Sequence, residues 1–445
     1  MPTIKVGFFE DDITGPIGFP QTGYMERTKV SEGINDRLYC RVLSIGYRSQ
    51  KYVLISLDLC GVDKKFREKT CSMITDMTNI PKEHVMISAT HTHSGMDGFL
   101  LGWNFKIEKF PYIRFYKSKD IVGEENTQVV RNFVSQKVAG SVYASTLNMH
   151  DSSISLNSSN VLGICSNRET PNMLFDSELI TLKFQDVAKR PIGCIINYSC
   201  HPTVLSYDNY LYSADFVGYT CELVKSHFGP KFVPIYFNGA CAEISTRFTR
   251  KEQTVDEAKR LGYLLGNEVV SLLKKEVTGH DISDVNVSFR EIKLPTKKLP
   301  SLEEAQKNLK KAKENYDELK RLGASPAELR IALTKVDGAL DVLGRIEVGD
   351  FKDEIIVPLQ SLRLDDIVIL GVPCELHSSI ALDLKQYGSK LRRKILVVGY
   401  ANDYAGYILP PEEYKKENYE TIISQFNEEG ASLFISELKA LINSI

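Results

Sequence analysis

Short, continuous apolar runs rich in Val and Ile narrow the possible fold more than any other feature of this sequence. Their apolar residues do not alternate with polar ones, so each run predicts a strand buried on both faces. Helical patterns lie between some of the runs, at Asp215–Phe228 and Thr254–Glu276. We therefore predict an α/β fold with a largely buried mixed β-sheet core flanked by helices. The predicted strands are Tyr52–Leu59, His84–Ala89, Ile192–Tyr198, Phe232–Phe237, Ile367–Gly371 and Lys394–Val398.

One segment, Ser301–Leu343, has no strand pattern and predicts two helices. In the first helix, apolar residues at intervals of three and four form a stripe along one face, and Gly323 ends it. Ser325 caps the second helix, with Pro326 at its first position and Glu328 completing a capping box. We interpret residues 301–343 as a helical hairpin inserted into a catalytic domain. A surface ornament or dimerisation arm is the favoured role, and a lid over the active site is the alternative.

Composition limits the classes of partner and the compartment. The 445 residues carry a formal net charge of −2, which gives no electrostatic reason to expect nucleic acid. The chain has no run of about 18 apolar residues, so we predict no transmembrane segment. The nine cysteines lie mostly in apolar runs and predict buried free thiols. With no secretory signal at the N-terminus, these features predict a cytoplasmic protein, and a secreted mature form is the alternative.

Five of the apolar runs end directly in polar, chemically capable residues. Ligand sites in α/β sheets collect beyond the carboxyl ends of strands, where loops converge on a rigid support. The five segments therefore predict one shared site in one catalytic domain, residues 1–445. They are His91–Gly95, Ser199–Pro202, Asn238–Ser245, Pro373–Glu375 and Ala401–Tyr407.

His91, His201 and Glu375 offer two imidazoles and a carboxylate, a ligand set that suits a catalytic zinc ion and leaves one coordination position open. A single histidine at a strand end is more often structural. The pair His91 and His93 is stronger evidence, because side chains two apart in a strand project to the same side. The combination of these residues, rather than any one of them, predicts a metal site.

Six motifs stand in order along the chain, at His91–Gly95, Ser166–Arg168, Asn197–Pro202, Ala242–Ser245, Val372–Glu375 and Ala401–Glu420. Together, and in this order, they resemble the neutral/alkaline ceramidase family. The resemblance covers essentially the whole chain outside the helical hairpin. It implies a zinc-dependent amidohydrolase of the N-acylsphingosine type, acting on a small N-acyl or lipid-like substrate.

The resemblance implies one zinc ion per chain, held by His91, His201, Glu375 and Tyr407. Zinc lowers the pKa of a bound water to roughly 7 and polarises carbonyl groups. The ion would therefore polarise the scissile carbonyl, or activate either Ser245 or water. The sequence leaves open which of the two attacks.

The resemblance also implies four residues for catalysis. His93 and Arg168 would face the substrate. Ser245 matches the serine that assists or performs attack on the amide. Tyr419, twelve residues after Tyr407, matches a tyrosine that faces the oxyanion developing in the tetrahedral intermediate.

The chain departs from the family pattern at several positions. The family's Gly-Asp-x-Ser-Pro is replaced by the segment Ala242–Thr246, and Met96 stands where the family has proline. About 25 residues follow Glu420, fewer than the C-terminal β-sandwich of typical ceramidases requires. These departures weaken ceramide as the expected substrate more than they weaken the zinc site.

Three functions therefore stay open from the sequence. The favoured one is hydrolysis of an N-acyl amide by a ceramidase-like zinc enzyme. The second keeps zinc but changes the bond to another small amide or an ester. The third is a non-catalytic homologue that binds a metal or ligand. A homo-oligomer formed through residues 301–343 is a further prediction.

Overall fold

A computed structural model describes residues 4–24, 26–100, 122–275, 281–349, 352–416 and 418–445. The strands are β1 Ile4–Asp12, β2 Gly33–Ile34, β3 Tyr39–Tyr47, β4 Gln50–Leu57, β5 Val85–Ala89, β6 His150–Asn160, β7 Ser166–Asn167, β8 Glu178–Asp186, β9 Pro191–Tyr198, β10 Leu211–Tyr212, β11 Val233–Asn238, β12 Ile244–Ser245, β13 Val285–Pro295, β14 Glu354–Leu364, β15 Ile367–Gly371, β16 Glu375–Leu376, β17 Lys394–Val398 and β18 Tyr407–Ile408. The helices are α1 Lys64–Thr78, α2 Glu124–Leu147, α3 Asp215–Phe228, α4 Val255–Lys274, α5 Leu302–Arg321, α6 Pro326–Val348, α7 Ser378–Lys390, α8 Tyr419–Ile423 and α9 Glu428–Asn443, with 3-10 turns at Lys82–His84 and Pro411–Lys415.

Two mixed sheets form the core. The larger has eight strands in the order β11-β9-β8-β6-β1-β3-β4-β5, and the smaller has four in the order β13-β14-β15-β17. One apolar cluster joins the facing sides of the two sheets. Helices α1 to α4 cover the outer face of the larger sheet, and α7 and α9 cover the smaller one. The predicted α/β fold with a buried mixed sheet flanked by helices is confirmed, with the core divided between two sheets.

Alternate residues of the central strands explain why the apolar runs are continuous. Val42 and Ile55 pack into the cluster beneath the helices, whereas Leu43 and Leu54 pack against the smaller sheet. Because both faces of these strands are buried, each position takes an apolar side chain.

The helical hairpin is an insertion between two paired strands. Pro295 at the end of β13 pairs with Glu354 at the start of β14, so the chain leaves and re-enters the sheet at neighbouring points. Ser301 and Ser325 both form capping boxes, as the second was predicted to do. Helix α6 continues to Val348, five residues beyond the predicted limit at Leu343, and Gly349 ends it in the left-handed conformation.

The hairpin lies on the protein body rather than projecting from it. Its own apolar cluster, which includes Leu309 and Leu340, also contacts Ile422 of helix α8. Arg330 of α6 forms an ion pair with Glu26. These contacts could not be read from the sequence, because helix periodicity does not record side-chain packing against distant segments. The favoured role of the hairpin, a surface ornament or dimerisation arm, stays a prediction.

The sequence led to one prediction about the cysteines and one about membrane-spanning helices. All nine cysteines are buried free thiols, as predicted. None of the helices in the described ranges has both the length and the apolar character needed to cross a membrane.

Candidate active site

The carboxyl ends of β5, β9 and β11 meet in one place, and Asn238 ties them together. Its side-chain amide donates to the Thr90 carbonyl at 3.1 Å and the Cys200 carbonyl at 3.0 Å, and its Oδ1 accepts from the Cys200 amide. Thr90 and Cys200 directly precede His91 and His201. Asn238, at the end of β11, thus sets the spacing between the two loops that carry these histidines.

His91 is fixed by its own backbone and by two neighbours. It has a φ of 69°, in the left-handed region that few residues other than glycine occupy. Its ring stacks on Tyr400 with centroids 4.0 Å apart. Its Nδ1 donates to the Cys60 carbonyl at 2.6 Å. With the proton placed on Nδ1, the Nε2 lone pair faces the interior of the site.

His201 is oriented in the same way from the opposite side. Its Nδ1 lies 2.7 Å from the Cys241 carbonyl and 3.1 Å from the Ile244 carbonyl, and it donates to them. Its Nε2 therefore also presents a lone pair to the interior. The centroids of the His91 and His201 rings are 4.8 Å apart.

Glu375 and Tyr407 enter the site as neighbours in a short parallel ladder between β16 and β18. The Tyr404 hydroxyl donates to Oε1 of Glu375. Oε2 is buried and accepts no hydrogen bond from any described residue. It lies 2.9 Å from Nε2 of His201 and 3.6 Å from Nε2 of His91.

Nε2 of His91, Nε2 of His201 and Oε2 of Glu375 are placed so that they could bind one metal ion. All of them lie within 4.8 Å of one another, and all three residues are buried. With both Nδ1 atoms protonated, the two Nε2 atoms and the carboxylate oxygen are electron-pair donors crowded together, an arrangement that a cation between them stabilises. Two donors bound at about 2.1 Å to a tetrahedral ion lie roughly 3.4 Å apart, close to the separations seen here.

The charge states of the cluster also suit metal binding. Burial lowers the pKa of His91 to about 4, so its ring is neutral near pH 7. Burial alone would raise the pKa of Glu375, but the neighbouring His91 and His201 outweigh it and lower that pKa to about 2. A neutral imidazole and an ionised carboxylate are the forms of these two residues that bind zinc.

A second short ladder brings the predicted catalytic residues to the same place. Strand β12 pairs with β7, with Ser245 opposite Ser166. Arg168 follows β7 and places its guanidinium 3.5 Å from Nε2 of His201 and 3.3 Å from the Tyr407 hydroxyl. Glu420 holds Arg168 through an ion pair of 2.6 Å.

His93 and Tyr419 complete the predicted set. Nε2 of His93 lies 3.2 Å from Nε2 of His91, although neither histidine is within a strand. Gly23, with a φ of 107°, packs so closely on the His93 ring that a Cβ there would lie 2.5 Å from Cγ of the ring. Tyr419 packs edge-to-face on Tyr407, with centroids 5.9 Å apart. All eight predicted site residues thus lie in one region.

The altered serine motif has a structural explanation. Glu243, which stands in place of the family's aspartate, accepts hydrogen bonds from the amide and hydroxyl of Ser378 at the start of helix α7. A carboxylate in this position stabilises the positive end of the helix. The longer side chain therefore has its own partner, and Ser245 remains on the wall of the site.

A pocket of 720 Å³ lies beside the candidate metal ligands. His93, Arg168 and Ser245 line it together with Tyr407 and Tyr419. Helix α6 forms part of the wall through residues that include Leu329, Arg330 and Leu333. The hairpin therefore contributes side chains to the pocket, and its alternative role as a lid stays a prediction.

Several residues of the site were missed by sequence reasoning. Tyr404 and Glu420 lie within the motif Ala401–Glu420, and Glu420 directly follows the predicted Tyr419. Their place in this motif was the available signal. Arg247 and Arg250 also line the pocket, two and five residues after Ser245. Only the fold shows that they face the same space as the hairpin.

Residues 4–245 match the family model for neutral/alkaline non-lysosomal ceramidase, N-terminal. The chain belongs to this family. Among the relatives of this ceramidase-family protein, the neutral ceramidases of Drosophila pseudoobscura pseudoobscura and Drosophila melanogaster are each 21% identical over the whole chain, which spans 74% of their length. Neutral ceramidase 1 of Arabidopsis thaliana is 26% identical over 47% of the chain and 27% of its own length.

The fold of this ceramidase-family protein is also that of a solved relative. The crystal structure of neutral ceramidase from Pseudomonas aeruginosa superposes with a TM-score of 0.76. The match covers 99% of this chain and 74% of the other, at 19% sequence identity. The similarity in structure extends well beyond residue 245, where the match to the family model ends.

Proposed function

We propose that this protein is a zinc-dependent amidohydrolase that cleaves an N-acyl substrate, in the manner of a ceramidase. The observation that carries this proposal is the convergence of His91, His201 and Glu375 on one point. His93 and Arg168, which contact the two histidines, line the same pocket as Ser245. Membership of the ceramidase family supports amide hydrolysis as the reaction.

In this proposal, His91, His201, Glu375 and Tyr407 hold one zinc ion per chain. The ion, when bound, would polarise the scissile carbonyl and activate the attacking hydroxyl. The carbonyl groups of Cys60 and Cys241 fix the two imidazole tautomers. The Tyr404 hydroxyl orients the carboxylate of Glu375.

The remaining residues would bind and polarise the substrate. Arg168, charged and held by Glu420, would place positive charge beside the carbonyl oxygen as negative charge develops there. Tyr419 would donate to the same oxygen. Ser245 would attack the amide or position the attacking water, and His93 would accept and return the proton.

Metal analysis followed by a substrate panel tests the proposal. We expect about one zinc per chain in the purified protein, and loss of that zinc in His201→Ala. The panel pairs each N-acyl amide, ceramide included, with the corresponding O-acyl ester. Amide hydrolysis that requires zinc supports the proposal. Exclusive ester hydrolysis would replace it with a zinc esterase, and no turnover with zinc bound would favour a metal-binding homologue.

A further inference from the structure

The pocket beside Ser245 is strongly cationic. Four arginines line it, namely Arg168, Arg247, Arg250 and Arg330. Glu252 is the only acidic side chain on its described wall, and it is exposed. An apolar lipid chain bound here would displace water from these charged side chains without replacing its hydrogen bonds, which costs considerable free energy.

Two of the four arginines already have acidic partners. Glu420 pairs with Arg168 at 2.6 Å. Glu26 pairs with Arg330, and the buried carboxyl of Asp337 also lies close enough to raise the pKa of Arg330. These two guanidiniums are therefore largely neutralised by the protein.

The other two arginines have no carboxylate within ion-pair distance among the described residues. Arg247 donates to the backbone carbonyl of Arg168 at 2.8 Å. Arg250 donates to the Thr203 carbonyl at 2.9 Å and to the Thr246 hydroxyl at 3.3 Å. Among carboxyl groups, Asp215 has the largest electrostatic effect on the pKa of Arg250. The oxygens of Asp215 already accept hydrogen bonds from the backbone amides of Leu205 and Phe216.

The half-buried position of Arg247 among other cations lowers its pKa. Burial, and then repulsion from Arg168 and Arg330, lower its pKa to about 9. A half-buried cation among other cations is stabilised when an anion arrives. Guanidinium groups bind planar oxyanions through paired hydrogen bonds, so a carboxylate or phosphate oxygen is the matching partner.

We propose that the substrate is an N-acyl amide that also carries an oxyanion, and that Arg247 and Arg250 bind this group. An N-acyl amino acid, with its carboxylate, and a phosphorylated N-acyl amine both have the required chemistry. The apolar side chains of Leu329 and Leu333 on helix α6 would contact the hydrocarbon part of the same molecule. The inference rests on the proposed amidohydrolase function and names its substrate class.

Matched substrates test the charge preference. N-lauroylglycine and N-lauroylethanolamine phosphate carry the oxyanion, and N-lauroylethanolamine is the neutral counterpart. We expect kcat/KM for at least one charged amide to exceed that for the neutral amide by about tenfold or more, since one hydrogen bond to a charged group has roughly that effect. The better of the two charged amides distinguishes a carboxylate from a phosphate.

Variants of the two arginines test whether these residues cause the preference for charged amides. Arg247→Gln and Arg250→Gln should each reduce the ratio of charged to neutral kcat/KM toward one, mainly by raising KM for the charged amide. Arg190→Gln is the control, because Arg190 is an exposed arginine paired with Asp186 on the surface. It should leave the ratio unchanged. Zinc content, measured in each variant, should equal that of the wild type.

Binding measured by calorimetry separates this inference from the proposed function. N-lauroylglycine should bind the wild-type protein about tenfold more tightly than N-lauroylethanolamine, and Arg247→Gln should remove the difference. Equal binding of charged and neutral amides would overturn the inference even if both are hydrolysed. Selective binding without hydrolysis would retain the oxyanion site and overturn the amidohydrolase function.

Discussion

At the scale of single residues, the backbone ladders decide which side chains share the site. Ser245 lies beside His201 through an isolated bridge and opposite Ser166 in the β12–β7 pair. Its hydroxyl accepts a hydrogen bond of 3.3 Å from the amide of Arg247. A serine in this position has two possible roles, one in the turn and one in the reaction, and these differ greatly in magnitude.

We predict that Ser245→Ala loses several orders of magnitude in turnover while its zinc content stays unchanged. Loss of a nucleophile has an effect of that size, whereas loss of the turn hydrogen bond costs only about 1 kcal/mol of stability. Steady-state kinetics and metal analysis check both parts. Ser166→Ala, the cross-strand neighbour, serves as the control and should retain activity. More than about a tenth of wild-type activity in Ser245→Ala would remove this serine from the mechanism.

Lys297 provides a prediction about pH. Its ammonium donates to the Thr421 and Ile422 carbonyls at the end of helix α8, which also carries Tyr419. Burial lowers the pKa of Lys297 from 10.5 to about 7. The unfolded chain therefore binds more protons than the folded protein between these two pH values, so this residue's contribution to the free energy of unfolding rises from pH 7 to about 10.5.

Denaturant titrations of wild type and Lys297→Met at several pH values between 7 and 10 measure this contribution. The wild type should gain stability relative to the variant as the pH rises. Lys298→Met, at the exposed neighbouring position, is the control and should show a constant difference from wild type. A constant difference for Lys297→Met as well would show that this half-buried lysine keeps its proton in the folded protein.

At the scale of elements, the helical hairpin lies outside the sheets and contributes side chains to the wall of the pocket. We propose that the rest of the chain forms one catalytic domain and that the hairpin is separable from it. Pro295 and Glu354 are paired, and the Thr296 amide donates to the Asp353 carbonyl at 3.0 Å. A two-residue turn can therefore join the strands where the hairpin leaves them.

Replacing residues 298–351 with Asn-Gly should give a folded protein that still binds zinc, because all four candidate ligands lie outside the replaced segment. Hydrolysis should fall through a higher KM, since the wall formed by Leu329 and Leu333 is gone. Circular dichroism, metal analysis and kinetics check the three statements. A companion variant combines the deletion with Ile422→Ser, which replaces the apolar side chain that the deletion exposes to water. Insoluble protein from both variants would mean that the hairpin belongs to the core.

At the scale of the whole molecule, the candidate metal centre connects the two sheets. His91 and His201 follow strands of the eight-stranded sheet. Glu375 and Tyr407 follow β15 and β17 of the four-stranded sheet. An ion bound by all four residues would cross-link the two halves of the core, so metal binding and global stability should be coupled.

We therefore predict that a chelator lowers the melting temperature by several degrees and that added zinc restores it. A ligand present at 100 times its Kd stabilises the folded state by about 2.7 kcal/mol. In His201→Ala, neither chelator nor zinc should change the melting temperature. His84→Gln is the control, because His84 stacks on Tyr52 away from the site, and it should respond like the wild type. Equal melting temperatures for wild type with and without zinc would contradict the coupling.

The sequence by itself determined the elements and the chemistry of the ligands. Apolar runs predicted the strands β15 and β17 to the residue, and the serine cap at Ser325 located the start of α6, because these patterns depend on near neighbours in the chain. The motifs also identified the residues that converge at the site. Tertiary structure decided the rest. It divided the core into two sheets, placed α6 on the pocket, and left Arg247 and Arg250 without acidic partners. Which faces meet, and which charges are compensated, depends on contacts between distant segments that no local pattern records.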